Sequence, residues 1–450
     1  MTGIYTAVAS GLLFPLHERL KGHHSVALRH ELERSQWASR EEIQQIQARH
    51  LQAFIRRIYA QVPYYRRVLD ESGIAPQDIR SASDLARLPF LTKSLIREHS
   101  DMLRARDAGP LQRFNTGGST GEPLIFYIGK ERISHDVAAK WRATRWWGVD
   151  IGDRELVVWG SPVELGAQDR LREWRDSLLR SRLMPAFEMS PANLERFVTQ
   201  IRAFRPTMLF GYPSSLALIA RHAERSGRRL DDLGIRVAFV TSERLYDDQK
   251  ATIERLYGCP TANGYGGRDA GFIAHQCPHG GLHLSAEHII VEVVDAKGRV
   301  LPAGEAGEVV VTHTATGEFP FLRYRTGDVA VLDDGHCACG RALPMLREIQ
   351  GRTTDFIVAA DGTVMHGLAL IYVVRDLAGV DAFKIIQESR DLVRVLLVAR
   401  GGVTPQMTDT IRRGLRQRLG DQVEVSVEAV DQIEPERSGK YRYVVSKVAV

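Results

Sequence analysis

Between residues 155 and 257, short apolar runs alternate with amphipathic segments, and this alternation constrains the fold more than any other feature of the chain. The apolar runs are ELVVWG, PTMLFGYP and IRVAFVTS, and the helical spacing lies at residues 170–180, 214–226 and 245–257. Strands that are joined through helical crossovers lie parallel. The pattern therefore predicts an α/β domain built on mostly parallel sheets flanked by helices.

The segments on either side of this region extend the prediction. Residues 31–103 and 132–147 have helical spacing, with an interruption at Pro63. From residue 288 the pattern changes to IIVEVV and GEVVVTHT, which predicts an antiparallel, β-rich portion. A fresh β-α-β pattern follows residue 355. We therefore expect a large N-terminal domain, residues 1–350, and a small α+β C-terminal domain, residues 351–450, with the boundary at 351–355.

The composition is that of a globular protein that does not bind nucleic acid. With 450 residues the chain is too long for one ordinary core, and 44% of its residues are hydrophobic and 26% charged. The formal net charge of +5 is spread over many Arg residues rather than gathered in a basic block with interleaved aromatic residues. Such an excess suits an enzyme that handles acids or nucleotides.

The N-terminal segment, MTGIYTAVASGLLFPLHERL, has an apolar run over residues 4–16. It lacks a basic leading segment, and Pro15, His17 and Glu18 end it well short of the ~20 residues that span a bilayer. We expect a helix that packs on the domain, with peripheral contact of the helix with a membrane surface as the alternative. No targeting signal is evident, so the expected location is cytoplasmic, and a homodimer stays open.

A loop rich in glycine and hydroxyl side chains, FNTGGSTGEPLIFY, occupies residues 114–127. Glycine lets the backbone approach a ligand closely, so that successive N–H groups can point at a phosphate while Ser and Thr add donors. No Lys follows the last glycine, so the loop is not a Walker motif. The residues predicted to contact phosphate are Thr116, Gly117, Gly118, Ser119, Thr120 and Gly121.

Four further motifs follow this loop in a fixed order. They are YGGRDAG at residues 265–271, FLRYRTGD at 321–328, GRTTDFIVAADG at 351–362 and ERSGKYRYV at 436–444. Five motifs in this order resemble the adenylate-forming superfamily, which contains acyl-CoA and aryl-CoA ligases, peptide-synthetase adenylation domains and luciferases. Within it the chain looks most like the phenylacetate–CoA ligase family, in its capsule-polysaccharide-associated branch. The resemblance runs from about Tyr64 to the C-terminus.

The resemblance implies an ATP site with Mg²⁺. Asp269 would help to hold the metal, Tyr265 and Gly266 would line the nucleotide site, and Asp328 would accept hydrogen bonds from the ribose hydroxyls. The chain departs from the family in two places. Its phosphate loop has no Lys after the proline, and the acid of the YG motif is Asp269 rather than the commoner Glu, whose carboxylate reaches further.

The resemblance also assigns roles in and around the small domain. Arg352 would reach the ribose or a phosphate. Lys440 would bridge the carboxylate and the α-phosphate during adenylation, where electrostatic stabilisation supplies most of the catalysis. The small, mobile C-terminal domain would then rotate about Asp355 to admit the second substrate.

The resemblance also implies which residues lie in the neighbourhood of the acyl pocket. They stand in FGYPS, in the TSE that ends the third strand, and in the NGYGG that precedes Arg268. The residues assigned to the pocket are Tyr212, Pro213, Ser242, Glu243 and Gly264, with Ser214 beside them.

Three of the four cysteines form a pattern typical of a metal site. Cys277 begins CPHGGLH, and Cys337 and Cys339 form a CAC knuckle. With one imidazole these three thiolates give the tetrahedral set that Zn²⁺ prefers, and members of the resembling family carry a similar site. We take His283 as the imidazole ligand, with His279 as the alternative, and expect the site to be structural. Cys259 is expected to be structural as well.

These observations favour an ATP-dependent acid–CoA ligase that forms an acyl-adenylate and then a thioester. The alternative is an adenylate-forming ligase that transfers the acyl group to an amine or hydroxyl in surface-polysaccharide or secondary-metabolite biosynthesis. A degenerate, non-catalytic adenylate-binding protein is disfavoured, because the loop, Asp328 and Lys440 are all retained. The sequence identifies neither the acid nor the acceptor, a carrier protein included.

Overall fold

The computed structural model describes residues 3–115, 124–159, 170–186, 188–243, 245–349, 356–431, 433 and 443–448. Helices in the first part of the chain are α1 (Ile4–Val8), α2 (Phe14–Lys21), α3 (Ser25–Ser35), α4 (Arg40–Gln61), α5 (Pro63–Glu71), α6 (Lys93–Glu98) and α7 (Lys130–Trp146), with a π-turn at Ala9–Leu13. The later helices are α8 (Arg170–Leu178), α9 (Pro191–Phe204), α10 (Pro213–Arg225), α11 (Asp247–Tyr257), α12 (Leu368–Arg375) and α13 (Pro405–Leu419).

Within the described ranges the strands fall into four sheets, of which the largest holds eleven strands. The first ten strands are β1 (Gln112–Asn115), β2 (Ile125–Ile128), β3 (Glu155–Trp159), β4 (Ser181–Pro185), β5 (Glu188–Met189), β6 (Met208–Gly211), β7 (Val237–Thr241), β8 (Thr261–Gly267), β9 (Gly271–Gln276) and β10 (Leu282–Leu284). The others are β11 (Ile289–Val294), β12 (Ala306–His313), β13 (Phe321–Asp333), β14 (Met345–Ile349), β15 (Phe356–Val358), β16 (Val364–His366), β17 (Val380–Gln387), β18 (Leu392–Ala399), β19 (Glu424–Ala429) and β20 (Val444–Ser446).

The large sheet changes from parallel to antiparallel at β8. Strands β4, β3, β6, β7 and β8 run parallel, and β9, β10, β14, β13, β12 and β11 continue the sheet with antiparallel pairs. The predicted parallel α/β fold with a β-rich portion is confirmed. The sequence did not predict that both portions form one continuous sheet.

Local signals explain where the N-terminal helices begin. The Ser39 hydroxyl accepts from the Glu42 amide while the Glu42 carboxylate accepts from the Ser39 amide, and this reciprocal capping box starts α4. The interruption predicted at Pro63 is present, because α4 ends at Gln61 and the proline occupies the first turn of α5. No helix in the described part of the chain is long and apolar enough to cross a membrane.

The C-terminal part forms its own α+β unit. Its sheet has the order β19-β18-β17-β20, and α12 and α13 contribute to a hydrophobic cluster with it that includes Phe383, Leu397 and Leu415. The β15–β16 hairpin pairs with β5, which belongs to the preceding part of the chain. The predicted boundary at 351–355 lies outside the described residues, so the division at that point and the mobility of the unit stay predictions.

Candidate active site

The carboxyl ends of β6, β7 and β8 meet at one edge of the large sheet. Thr241 at the end of β7 lies beside Gly264 on β8, and β6 pairs with β7 on the other side. The chain leaves β6 at Tyr212 and leaves β7 at Ser242 and Glu243. Ligands of α/β sheets bind outside the carboxyl ends of the strands. The structure therefore brings the residues that we assigned to the acyl pocket to the edge where a ligand is expected.

Side-chain contacts fix the first wall of this edge. Tyr212 is buried and stacks on Trp159 at the end of β3, with ring centroids 4.5 Å apart. Pro213 starts α10, where its missing N–H is not needed. The hydroxyl of the next residue, Ser214, donates to the Glu243 carboxylate. An aromatic surface and an anchored carboxylate thus stand side by side.

Two backbone positions at this edge tolerate little change. Ser242 has φ +72°, a left-handed conformation that costs a non-glycine residue about 1–3 kcal/mol and that occurs preferentially at functional sites. At Gly264 an added Cβ would lie 3.0 Å from the Phe239 ring. Both positions hold the backbone where a side chain of another kind would displace it.

Asp269 lies in the turn between β8 and β9, and its carboxylate is held from two sides. The Tyr324 hydroxyl donates to one carboxylate oxygen at 2.6 Å, and the Ala270 amide donates to the other at 3.1 Å. Tyr324 is buried on β13, so its ring is fixed. A carboxylate oriented in this way is suited to bind a divalent cation.

A second hydrogen bond joins residues 265–269 to residues 324–328, and here the tyrosine belongs to the first segment and the aspartate to the second. The Tyr265 hydroxyl on β8 donates to the Asp328 carboxylate on β13 at 3.2 Å. Each segment therefore supplies one tyrosine donor and one aspartate acceptor. We call this arrangement, Tyr265–Asp328 with Tyr324–Asp269, the reciprocal Tyr–Asp pair. It links the two segments that carry the acidic residues predicted for Mg²⁺ and ribose.

Arg132 on α7 supports the turn that carries Asp269. Its guanidinium donates to the backbone carbonyls of Arg268 and Asp269 at 3.3 and 3.2 Å, and its Nε donates to both carboxylate oxygens of Asp136. Only 2% of Arg132 is exposed. The sequence reasoning assigned no role to Arg132 or to Tyr324, and the structure shows that both orient the metal-binding candidate.

The predicted phosphate residues 116–121, Arg352 and Lys440 lie outside the described residues, so their roles stay predictions. The strands that flank the loop are described: β1 and β2 form an antiparallel hairpin in which Asn115 pairs with Ile125. Phe126 on β2 packs edge-on against Phe321 at the start of β13, with ring centroids 5.8 Å apart. The hairpin is thus anchored on the strand that carries Asp328.

The structure gathers the four predicted metal ligands, Cys277, His283, Cys337 and Cys339. Their ligand atoms all lie within 4.8 Å of one another. The Sγ atoms of Cys277 and Cys337 are 3.5 Å apart, and Cys339 Sγ is 3.2 Å from His283 Nε2. Three thiols and one imidazole at these distances fit a tetrahedral Zn²⁺ site.

The surroundings of His283 suit a metal ligand. Burial lowers the pKa of His283 to about 4, so the ring is neutral at neutral pH. Its Nδ1–H donates to the Leu343 carbonyl at 3.3 Å, which leaves the Nε2 lone pair directed at the thiols. An added Cβ at Gly281 would lie 2.6 Å from the Cys337 sulfur, so only glycine fits there. His279 is exposed and is not part of the group, whereas Cys259 is buried elsewhere.

A second group, His135, Asp136 and His313, also has ligand atoms within 4.8 Å of one another. Two contacts argue against a metal there. Arg132 already pairs with both oxygens of Asp136, and the Ala315 amide donates to His313 Nδ1 at 3.3 Å, which leaves the proton of a neutral ring on Nε2. We therefore assign no metal to this group.

Comparisons with known proteins agree with this architecture. The family model described as AMP-binding enzyme matches residues 114–317, and the model described as CapK C-terminal domain matches residues 357–447. Phenylacetate-coenzyme A ligase of Thermus thermophilus is 28% identical over 328 residues, 71% of this chain and 72% of that protein. Protein CapK of Staphylococcus aureus is 23% identical over 415 residues, 90% of this chain and 89% of that protein.

A solved structure shows the same fold. The crystal structure of 2-hydroxyisobutyryl-CoA ligase in complex with 2-HIB-AMP and CoA superposes with a TM-score of 0.65 at 21% identity, covering 90% of each chain. The two family models match in order along the chain and place it in the adenylate-forming superfamily. Within this superfamily the chain is similar to phenylacetate–CoA ligases and to CapK.

Proposed function

We propose that this protein activates a carboxylic acid with ATP and transfers the acyl group to CoA. The acid's carboxylate attacks the α-phosphorus, the bond to pyrophosphate breaks, and an acyl-adenylate forms. The CoA thiol then attacks the acyl carbon, and AMP leaves. The observation that carries the proposal is the reciprocal Tyr–Asp pair, because its two hydrogen bonds join two motifs that are far apart in sequence.

Each candidate residue has a separate role in the proposed reaction. Asp269, oriented by Tyr324, would hold Mg²⁺, and Asp328, beside Tyr265, would accept hydrogen bonds from the ribose hydroxyls. Residues 116–121 would bind the phosphates, with Arg352 at a phosphate or the ribose. Lys440 would neutralise the charge that develops between the carboxylate and the α-phosphate.

The acid would lie at the edge formed by Tyr212, Ser242 and Gly264. The stacked rings of Tyr212 and Trp159 supply an aromatic wall, which favours an aromatic acid. Several relatives that match about 71–73% of the chain are named phenylacetate-coenzyme A ligases, which agrees with such a pocket.

A second candidate is transfer of the acyl group to an amine or hydroxyl of a surface polysaccharide or secondary metabolite. The match to CapK covers 90% of the chain and includes the C-terminal part, which also matches the CapK model. The phenylacetate–CoA ligase of Thermus thermophilus matches 71% of the chain. The longer match to CapK is the observation that supports this second candidate.

We further propose that Zn²⁺ at Cys277, His283, Cys337 and Cys339 is structural. These residues join the end of β9 and strand β10 to the loop before β14, so the metal would brace the sheet behind the turn of Asp269. Metal analysis of protein purified without chelators should find one zinc per chain. A metal-free protein with unchanged stability would exclude the site.

The decisive assay is acid-dependent release of pyrophosphate from ATP and Mg²⁺, measured over a panel of aromatic, hydroxy and fatty acids with and without CoA. Release that rises sharply with CoA would identify a CoA ligase and its acid. Acid-dependent release that is indifferent to CoA would support the amine or hydroxyl acceptor.

Lys440→Ala should abolish adenylation, and Asp269→Asn should raise the Mg²⁺ concentration that the reaction needs. The matched control is Lys447→Ala, since Lys447 is an exposed lysine of the same segment that pairs with Glu388. It should leave the rate unchanged. Adenylation that survives Lys440→Ala would refute the mechanism.

A further inference from the structure

The helical segment formed by α1, the π-turn and α2 exposes a continuous row of large aliphatic side chains. Each stands four residues after the one before it, and their exposed fractions run from 43% to 87%. We call this row the outer stripe; it consists of Ile4, Val8, Leu12, Leu16 and Leu20. A contiguous apolar surface of this kind marks an interaction site more often than scattered exposed residues do.

The opposite face of the segment is partly polar, although it is the buried one. The Thr6 hydroxyl donates to the Asp153 carboxylate at 2.8 Å, and the Glu18 carboxylate, 3% exposed, accepts from the Ser25 hydroxyl at 2.5 Å. A surface helix ordinarily buries its apolar face and exposes its polar one. The buried face of this segment also holds Ala9 and Phe14, so the departure from the rule is the outer stripe itself. An apolar environment outside the domain explains the outer stripe better than water does.

The π-turn at Ala9–Leu13 helps to keep the outer stripe on one side. In an α-helix, positions four apart advance by slightly more than one turn, so a row with that spacing drifts around the helix. A π-turn holds more residues per turn, so the same spacing falls short of a full turn and reverses the drift. The middle of the segment thus brings Val8 and Leu12 back towards the line of the others.

The ends and flank of the outer stripe carry basic and aromatic groups. Residues 1–16 contain no charged side chain, and Arg19 and Lys21 then stand exposed at the end of α2. Helix α8 lies beside the segment, since the Tyr5 hydroxyl donates to the Leu178 carbonyl, and it exposes 72% of Trp174. Tryptophan and basic residues at the border of an apolar face suit the headgroup region of an anionic membrane.

We propose that the outer stripe lies in the boundary between headgroups and acyl chains of an anionic lipid bilayer, so that the enzyme binds the membrane surface without spanning it. A second copy of the chain fits less well. The stripe exposes the equivalent of about three whole aliphatic side chains, well below the ~800 Å² that each partner contributes to a stable protein interface. The proposal does not depend on the catalytic function.

The test is co-sedimentation of the full chain with vesicles of equal parts phosphatidylcholine and phosphatidylglycerol. We expect binding that weakens with salt and weakens again with vesicles of phosphatidylcholine alone. The double variant Leu12→Gln, Leu16→Gln should lower the partition coefficient by at least about tenfold, because two leucines no longer enter the apolar layer. The double variant Leu12→Met, Leu16→Met should retain binding.

Val300→Gln is the matched control, because Val300 is an exposed aliphatic residue on a loop outside the outer stripe, with 47% of its surface exposed. It should bind vesicles as the unmodified protein does. Light scattering measures the oligomeric state of every variant. The proposal is wrong if the unmodified protein does not bind vesicles, if the glutamine variant binds equally well, or if the unmodified protein is a dimer that the glutamine substitutions dissociate.

Discussion

Lowering the pH from about 7.5 to about 5.5 should destabilise the folded protein through His135 and His313, because their rings are buried in the folded state and reach water only after unfolding. Both side chains are 0% exposed. Burial is the largest cause that lowers the pKa of each ring, and the nearby Arg132 lowers both further. Asp136 acts the other way on the pKa of His135, but it is already paired with Arg132.

The remaining groups that face the two rings also oppose protonation. The ring of His288 lies 5.2 Å from that of His135 and contributes to lowering the pKa of His313. Arg142, on the same helix as His135, lowers the pKa of that ring. His50 stacks on His288 on the far side. None of the groups named here is an unpaired carboxylate, so none of them favours the protonated form of either histidine.

The magnitude follows from the difference between the folded and unfolded states. A histidine of the unfolded chain takes up its proton near pH 6.5, whereas burial lowers the pKa of each of these two in the folded state. Their contribution to stability is complete above that pH and is lost as the pH falls towards the lowered pKa. One pH unit below 6.5, a ring that is still neutral costs about 1.4 kcal/mol, so the pair costs at most about 3 kcal/mol of the free energy of unfolding.

The assay is guanidinium unfolding followed by tryptophan fluorescence at both pH values. His135→Gln and His313→Gln should each remove up to about 1.4 kcal/mol from the difference between the two pH values, whatever their effect on absolute stability. His24→Gln is the control, since that side chain is exposed. Equal stability at the two pH values, or a difference between them that neither substitution reduces, would refute the reasoning.

Three further predictions concern the site. Tyr324→Phe removes the hydrogen bond to Asp269, worth about 1 kcal/mol, and should raise the Mg²⁺ requirement of pyrophosphate release about fivefold, whereas an unchanged Mg²⁺ titration would count against this role. Gly266→Ala would place a methyl group on an opposing backbone carbonyl and should cost about 2 kcal/mol or more in thermal unfolding, with Gly109→Ala, at an open position, as the control. Cys337→Ser or a strong chelator should release zinc and lower the melting temperature; a chelator that changes neither would contradict the structural role.

The sequence alone predicted those elements of the fold whose signal lies in neighbouring residues. The elements around β3, β6 and β7 follow from alternating apolar runs and helices. Hydrophobic periodicity and helix capping depend on neighbouring residues, so one chain reveals them. The continuous sheet was not predicted, because the pairing of β10 with β14 joins residues some 60 positions apart through tertiary packing.

The same distinction applies to the site. Asp269 and Asp328 were chosen from motifs, but their tyrosine partners were not, because a hydrogen bond across two segments leaves no local trace. Tyr324 and Asp328 are four residues apart, but a register shift and the positive φ of Gly327 lie between them, so strand alternation does not relate their side chains. Arg132 lay in a segment predicted only as a helix rich in Trp and basic residues, and nothing local marks which arginine turns inward.

The ladder between β16 and β5 has a consequence for how the sequences of the two parts of the chain can change. It consists of two paired positions, Val364 with Met189 and Met365 with Glu188, and its hydrogen bonds use backbone groups alone. Side-chain substitutions therefore leave this link intact, apart from proline, which removes a backbone donor. With about 1 kcal/mol per bond, the ladder is a weak link that tolerates sequence change in both parts, and the rotation predicted for the C-terminal part would break it at little cost.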